Sequence, residues 1–243
     1  MTTTVSALRE IPGLLARSAL TDVQRDEMFA LLTRHFEGVS RPQFEHDLAE
    51  KNWVIHLRKE GRLVGFSTLL ACESCFEGQA FTVIYSGDTI VAPEAWGTPA
   101  LARTWIAAVN RLREDFPHRP CYWLLLSSGF RTYRFLPVFW CEFFPRFDAP
   151  TPPARQRLLD QLARERYAAC FDAATGLVRF PHPQRLREPL ARLPDRRAID
   201  PDVAFFLARN PHHARGDELV CLTEISTANL TPAGRRMVVP AAP

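Results

Sequence analysis

The sequence predicts an α/β (α+β) fold with a mixed, mostly antiparallel central sheet flanked by helices on both faces. Two apolar runs, 53–57 and 63–70, flank the charged turn RKEGR, and a third run follows at 80–91. This pattern is typical of a three-strand meander. The third run leads through a Gly- and Pro-containing turn into a long helical pattern at 98–114. The run at 122–126 is continuously apolar, as expected for a central strand buried on both faces.

Composition sets the broad class. The chain has 243 residues, enough for one large domain with a substantial core. A hydrophobic content of 47% and a charged content of 23% are ordinary for a globular protein. The formal net charge of +3 is too small to predict nucleic-acid binding by itself. Lys51 and Lys59 are the only lysines. A GC-rich bacterial genome explains this arginine bias, and a phosphate-binding surface is the alternative explanation.

Membrane and metal sites are not expected. Residues 1–12 lack the basic start and apolar run of a signal peptide. No apolar stretch approaches the ~20 residues that span a bilayer, so a cytoplasmic location is expected. Cys72 and Cys75 form the only close cysteine pair, and no second pair stands near them. We therefore expect ordinary thiols rather than a zinc site.

Two helices are predicted before the meander. Thr21 or Asp22 is a candidate N-cap for a helix that ends near His35. Ser40 begins a second helix with Pro42 in its first turn, and the apolar residues of this helix are spaced at i and i+4.

The composition changes beyond Asp148. A linker, APTPPA, precedes an amphipathic helix, and residues 181–202 are rich in Pro and Arg. The runs 202–208 and 218–225 are expected to form an antiparallel pair around a loop that exposes His212 and His213. We predict a single domain over 20–226 with an irregular insertion at about 149–200. Residues 1–19 and 231–243 are expected to be weakly ordered.

The turn after Val91 is a candidate anion site. A helix opens at Thr98 and Pro99, directly after the apolar strand and Gly97. A helix N-terminus offers unpaired N–H groups and the positive end of the helix dipole, which together suit a phosphate. The alternative is a plain helix start, with Thr98 as the cap and Pro99 in the first turn.

The order of these elements resembles that of the GNAT superfamily of acyl-CoA-dependent N-acyltransferases, over most of 20–148 and again near 200–226. The superfamily signature is Arg or Gln, two residues, Gly, one residue, then Gly or Ala, at the start of the central helix. The aligned segment here is Glu94-Ala-Trp-Gly97-Thr-Pro99. Gly97 matches. Glu94 would repel a pyrophosphate, and Pro99 has no N–H to offer it.

The resemblance implies a pantetheine thioester as donor, either acyl-CoA or an acyl carrier protein, and no metal. The residues that it places at the donor site are Trp96, Gly97, Thr98, Ala100, Ser127, Arg131 and Arg134. For the two arginines a solvated helix face is the alternative.

The resemblance also implies two catalytic residues. Tyr133 would protonate the leaving thiolate, and Asp88, on a strand bulged at Gly87, would take a proton from the attacking amine. The alternatives are a core tyrosine with a satisfied hydroxyl and an aspartate bonded to backbone N–H groups. His56 is a weaker candidate for the base.

An aromatic run follows Tyr133, and we expect most of it to lie in the core. Its members are Phe135, Phe139, Trp140, Phe143, Phe144 and Phe147. Part of this run is a candidate lining for a long acyl chain. Binding to a membrane surface is a further interpretation.

The predicted function is therefore transfer of an acyl group, long-chain or short, to an amine on a small molecule or peptide. The alternative is a non-catalytic GNAT-fold module that binds a peptide or protein partner.

Overall fold

A computed structural model describes residues 11–117, 119–188, 190–191 and 199–238. Its helices are α1 Asp22–His35, α2 Arg41–Ala49, α3 Ala100–Glu114, α4 Phe130–Tyr133, α5 Phe135–Phe139, α6 Pro153–Tyr167, α7 Pro201–Arg209 and α8 Pro232–Val238. Its strands are β1 Leu14–Ala16, β2 Phe36–Glu37, β3 Trp53–Lys59, β4 Arg62–Phe76, β5 Gln79–Val91, β6 Cys121–Ser127, β7 Phe143–Phe144, β8 Phe171–Asp172, β9 Leu177–Val178, β10 Arg185–Leu186 and β11 Glu218–Glu224. Short 3-10 turns lie at Arg17–Ala19, Pro93–Ala95 and His213–Arg215.

In this described part, nine strands form one sheet in the order β1-β3-β4-β5-β6-β11-β9-β8, with β7 also paired to β11. Neighbouring strands run antiparallel except β5 and β6, which are parallel. The strands β10 and β2 form a separate pair. The predicted mixed, mostly antiparallel sheet flanked by helices is confirmed.

The two tight turns between β3, β4 and β5 explain why these strands form a meander. At the β3–β4 turn Glu60 and Gly61 have φ of 51° and 79°, and at the β4–β5 turn Glu77 and Gly78 have φ of 49° and 80°. A two-residue hairpin with positive φ at both positions matches the twist of the flanking strands, and glycine adopts this conformation without steric cost.

The helices before the meander begin where the caps predict. The Thr21 hydroxyl accepts a hydrogen bond from the N–H of Gln24, whose side chain accepts one from the N–H of Thr21. Ser40 accepts from the N–H of Gln43. These caps satisfy N–H groups that an α-helix leaves unpaired.

Three apolar clusters hold the layers together. One lies on the first face of the sheet, between the strands and helices α3, α4, α5, α7 and α8. The other two share the opposite face: α1 and α2 cover β3, β4 and the end of β5, while α6 covers β5, β6, β9 and β11. The two clusters of this second face meet near the middle of β4 and β5, which is where the candidate site lies.

The expected strand at 202–208 is wrong. Residues 201–209 form helix α7, and Asp200 caps it by accepting hydrogen bonds from the N–H groups of Asp202 and Val203. Pro201 occupies the first turn, where its fixed φ suits a helix. The predicted strand at 218–225 is confirmed as β11, but its long antiparallel partner is β6.

Both ends of the described chain are more regular than expected. Residues 14–16 pair with β3, which satisfies their backbone groups, and 232–238 form α8 against α3. The predicted amphipathic helix beyond the linker is confirmed as α6. The rest of the weakly ordered ends, 1–10 and 239–243, lies outside the described residues. The single-domain boundaries stay a prediction.

The aromatic segment does not form one continuous helix. Arg134 separates α4 from α5, because Pro137 has no N–H to bond the carbonyl of Tyr133. Trp140 is 1% exposed and packs against Trp105 and Trp123, whose ring centroids are 4.2 Å apart. The run therefore fills the core with its own rings, apart from Phe147, which is 49% exposed.

None of the helices described is both long enough and apolar enough to cross a membrane.

His56 gives the fold a pH dependence. Its side chain is buried in β3, and neither ring nitrogen has a hydrogen-bond partner in the described part of the chain. Burial, with a smaller contribution from the positive charge of Arg58, lowers the pKa of His56 to about 4. The unfolded chain therefore binds a proton first. The stability from the neutral ring is complete above the ordinary pKa of about 6.5 and is lost as pH falls towards 4.

We expect His56→Leu to remove this dependence. Urea unfolding between pH 4 and 7 should show a flatter profile, with a gain of about 2–3 kcal/mol at the acid end. His212→Gln, at an exposed histidine, is the control and should leave the profile unchanged. A wild-type slope that persists in His56→Leu contradicts the assignment.

Candidate functional site

The parallel strands β5 and β6 separate part-way along their length. Their pairing runs from Thr82–Cys121 to Tyr85–Leu124 and stops there. Beyond that point β5 remains paired to β4 as far as Val91, while β6 remains paired to β11 as far as Ser127. The result is a V-shaped opening in the sheet, bounded by 86–91 on one side and 125–127 on the other.

A β-bulge lies on the β5 side of this opening. Ser67 pairs with Thr89 and Leu69 with Ser86, so two residues of β5, Gly87 and Asp88, face one residue of β4. The bulge also reverses the alternation of side chains. Phe81, Val83 and Tyr85 pack on the α6 side, whereas Ile90 and Ala92 pack under α1 and α2 on the same face. The predicted bulge at Gly87 is therefore found, and it turns Asp88 to the second face.

Polar groups fill the gap between α2 and α6 on this face. Thr68 is 1% exposed, and its hydroxyl has no hydrogen-bond partner among the described residues. A Cβ added at Gly87 would lie 2.6 Å from both Thr68 Oγ1 and Lys51 Cε, so a larger residue there would require these side chains to move. Lys51 is buried, and its Nζ donates to the Asp47 carbonyl at 3.0 Å.

The ends of α2 and α6 are joined across this gap. Arg166 donates to Glu50 at 2.5 Å, and its guanidinium lies 5.0 Å from the ring centroid of Tyr85. Since Tyr85 is the last residue of β5 paired to β6, this ion pair stands beside the apex of the opening.

Two carboxyl groups in this region have raised pKa values. Burial, with a smaller contribution from the negative charge of Asp47, raises the pKa of Asp88 to about 6, while Lys51 acts in the opposite direction. Burial raises the pKa of Glu218 to about 8, and the negative charge of Asp88 adds to this shift. A carboxyl group whose pKa lies near neutral can gain or lose a proton under ordinary conditions, which suits acid–base chemistry.

The turn between β5 and α3 has the open geometry of an anion site. Helix α3 begins at Ala100 and no side chain caps it, so its first N–H groups face outward. Nothing lies within 4 Å of a Cβ placed at Gly97. The alternative in which Thr98 caps the helix is wrong: its hydroxyl donates to the Ala95 carbonyl, and Pro99 occupies the cap position. Trp96 is 42% exposed, and its indole donates to the Val91 carbonyl.

The two candidate arginines differ in their surroundings. The guanidinium of Arg131 lies 4.4 Å from the ring centroid of Trp96 and donates to the Leu190 carbonyl at 2.7 Å. It therefore borders the turn before α3. Arg134 instead pairs with Asp200 at 2.9 Å. Ser127 is buried, and its hydroxyl donates to the Gly129 carbonyl.

The placement of Tyr133 differs from the expectation for a proton donor. The side chain is 0% exposed and packs against Phe206, at 5.6 Å between ring centroids. Its hydroxyl donates to the Pro145 carbonyl at 2.9 Å, and burial raises its pKa above the ordinary value. This geometry matches the alternative of a core tyrosine with a satisfied hydroxyl.

Sequence reasoning missed Lys51, Thr68, Arg166 and Glu218. These residues come from four separate elements and share no local motif. The one available signal was that Lys51 is one of only two lysines in a chain otherwise rich in arginine.

No family model matches the chain, and no curated protein matches it. Several solved structures do. A probable N-acyltransferase from Enterococcus faecalis V583 shares 16% identity over 50% of this chain and 30% of its own length, with a TM-score of 0.39. A GCN5-related N-acetyltransferase from Kribbella flavida shares 17% over 54% and 33%, with a TM-score of 0.40. A GNAT family N-acetyltransferase from Escherichia coli, in complex with CoA, shares 19% over 52% and 67%, with a TM-score of 0.37.

The chain spans about a third of the length of the first two of these proteins. The activities and ligands named for these proteins belong to those proteins. The fold of this chain is identified from its own topology. Two helices precede a three-strand meander, and the third strand pairs in parallel with the next strand after a crossover helix. That pair opens beside a bulge. With these features, the chain has a GNAT-like fold.

Proposed function

We propose that the protein is an N-acyltransferase that moves an acyl group from a pantetheine thioester to an amine. The observation that carries this proposal is the opening of the β5–β6 pair beyond Tyr85 and Leu124, with the bulge at Gly87 and Asp88 on its edge. An extended pantetheine arm suits a slot between two separated strands, since each strand edge there has backbone groups free of the other strand. Acyl-CoA is the preferred donor, and an acyl carrier protein is the alternative.

The donor phosphates fit the N-terminus of α3. Its uncapped N–H groups and dipole favour an anion, and the open space at Gly97 lets a phosphate approach the backbone. Arg131, beside Trp96, is the cation placed to assist. Arg134 is already neutralised by Asp200, so it contributes less. Glu94 is exposed on the preceding turn and opposes the phosphate charge.

The acceptor amine approaches from the second face, through the gap between α2 and α6. Asp88 accepts the proton that the amine loses as its nitrogen attacks the thioester carbon. Backbone N–H groups along the bulged strand stabilise the oxyanion that forms on the carbonyl oxygen.

The direct test is release of free thiol from acetyl-CoA and longer acyl-CoA donors in the presence of a panel of primary amines. Amine-dependent thiol release with formation of the amide supports the proposal. Native mass spectrometry on the same samples reports donor binding. A chain that binds no donor and releases no thiol would instead be the non-catalytic binding module.

Donor binding should be sensitive to bulk at Gly97. We expect Gly97→Val to raise the Kd for acyl-CoA about tenfold or more, because the isopropyl group fills open space beside the turn, through which a phosphate would approach the backbone. The Kd is measured by isothermal titration calorimetry. Nothing lies near the added atoms and Gly97 has no positive φ, so the melting temperature should be unchanged.

Gly97→Ala, which adds one methyl group, is the graded control and should have a smaller effect. Equal affinity in the wild type and in Gly97→Val would reject this donor site.

A further inference from the structure

Glu218 lies at the wide end of the V-shaped opening between β5 and β6. It is the first residue of β11, and Leu219 pairs with Ser127, the last residue of β6. Glu218 therefore lies level with the point where β6 has ended, so that strand does not separate it from the opening. Leu219 packs on the α3 face and Val220 on the α6 face. Because side chains alternate along a strand, Glu218 projects to the second face, as Asp88 does.

The two carboxyl groups thus stand on opposite sides of one opening. Asp88 lies on the bulge of β5, and Glu218 lies on β11 beyond the end of β6. Both are half-buried, and they are near enough for the charge of Asp88 to act on Glu218. The buried, unpartnered hydroxyl of Thr68 beside Gly87 shows that this gap holds polar groups that the protein itself leaves unsatisfied.

We propose that Glu218 is the catalytic acid that protonates the departing pantetheine thiolate. This inference rests on the proposed function and assigns the proton donor that its chemistry requires. The acceptor ammonium first gives one proton to solvent by way of Asp88. The neutral amine nitrogen then forms a bond to the thioester carbon, and Asp88 takes the second proton from that nitrogen. The C–S bond then breaks, and the sulfur takes the proton of the Glu218 carboxyl. One proton enters Asp88 and one leaves Glu218, so a return transfer between the two carboxyl groups restores the site.

The electrostatic surroundings suit this division of roles. The pKa of Asp88, about 6, leaves it ionised at neutral pH, whereas that of Glu218, about 8, keeps it protonated. A pair of carboxyl groups whose environments separate their pKa values can serve as base and acid at one pH. From α6, Tyr167 faces Glu218, and Arg166 is held by Glu50.

The charged side chains next to Glu218 on the chain after β9 and at the start of β11 are held in ion pairs. On β9 the residue opposite Glu218 is Val178. The adjacent Arg179 pairs with Asp172 and Asp217. Tyr133, the donor suggested by the resemblance, cannot act here without leaving the Pro145 carbonyl and the core.

The test compares Glu218→Gln with the wild type on two donors with the same acyl group. With an acyl-CoA, whose alkyl thiolate needs a proton to leave, we expect kcat to fall about 10²-fold or more. With an aryl thioester, whose thiolate leaves without a proton, we expect a change of less than about threefold. Glu218→Asp, which keeps the acid, should recover part of the acyl-CoA rate.

The pH profile supplies a second readout. The advantage of the wild type over Glu218→Gln should shrink as pH rises through about 8, where Glu218 loses its proton. Glu224→Gln, on the same face at the far end of β11, is the matched control and should behave as wild type on both donors. Melting temperatures of all variants check the fold.

The outcomes separate the two proposals. If the wild type transfers no acyl group to any amine, the proposed function fails. If the wild type is active but Glu218→Gln lowers kcat equally on both donors, or lowers it on neither, the role of Glu218 is overturned while the proposed function stands.

Discussion

Asp88→Asn should lower kcat for acyl transfer by about 10²–10⁴-fold near neutral pH, the range that a lost general base produces. At that pH the wild-type carboxylate is ionised while a primary ammonium acceptor still holds its proton. The amide of asparagine cannot take that proton. Above about pH 9 part of the loss should be recovered, because more of the acceptor is already neutral. Thiol release measured from pH 5 to 10 gives the profile.

Turnover of the wild type should also fall on the acid side of its pH profile, and this acid limb identifies Asp88 as the group that must be ionised. Turnover should fall as pH drops through about 6, where Asp88 becomes protonated. Asp88→Asn should lack this limb. In the matched variant Asp47→Asn the limb should move to lower pH with activity retained, because the negative charge of Asp47 raises the pKa of Asp88.

The melting temperature of Asp88→Asn shows whether its loss of activity has a chemical or a structural cause. The folded pKa of Asp88 lies above its ordinary value, so its ionisation destabilises the fold as pH rises through about 6. Asparagine removes that cost, and the melting temperature at pH 7 should therefore stay the same or rise. A well-folded Asp88→Asn with wild-type turnover would leave positioning as the source of catalysis.

The local parts of the site could be predicted from the sequence. A Gly-Asp pair inside an apolar strand has few explanations other than a bulge, and Gly97 before a long amphipathic helix marks a helix N-terminus. Each of these signals arises within a few residues, where backbone geometry and residue type are closely linked. The meander was predictable for the same reason.

The remaining parts depend on contacts between distant elements. Lys51 follows α2, Arg166 lies in the last turn of α6 and Glu218 begins β11, so only the folded topology brings them together. The same holds for Tyr133. Its position after a strand matches a family pattern, yet its ring packs against α7, a segment that the sequence pattern predicted to be a strand.

The surroundings of the second face include a segment, around Pro183, that no sequence motif predicted. Pro183 lies against Gly38 and Gly216, so the chain before β10 is held between the α1–α2 loop and the turn before β11. Both glycines have positive φ, 77° and 94°, and a Cβ at either would clash with Pro183. The segment around Pro183 thus packs between the loop that leads into α2 and the turn that leads into Glu218.

The largest loss of stability is expected for Phe206→Ala. Phe206 is 0% exposed on α7 and packs against Tyr133 and His213, with ring centroids 5.6 Å and 5.5 Å away. Removing a buried phenyl ring costs about 3–5 kcal/mol of unfolding free energy, through lost burial and the cavity left behind. Each kcal/mol corresponds to about 2–4 °C in the melting temperature of a domain of this size. Phe147→Ala, at an exposed ring, is the control and should change stability by less than about 0.5 kcal/mol.

This experiment also decides between helix and strand at 201–209. In a helix, Val203 and Phe206 are three residues apart and share the buried face, and both are 0% exposed. In a strand they would point to opposite sides, and Phe206 would share its face with Ala204 instead. Val203→Ala should therefore also destabilise the protein, by about 1–3 kcal/mol, as loss of a buried aliphatic side chain does. Neutral behaviour of Val203→Ala beside a large effect of Phe206→Ala would contradict the helix and the core position that it gives Tyr133.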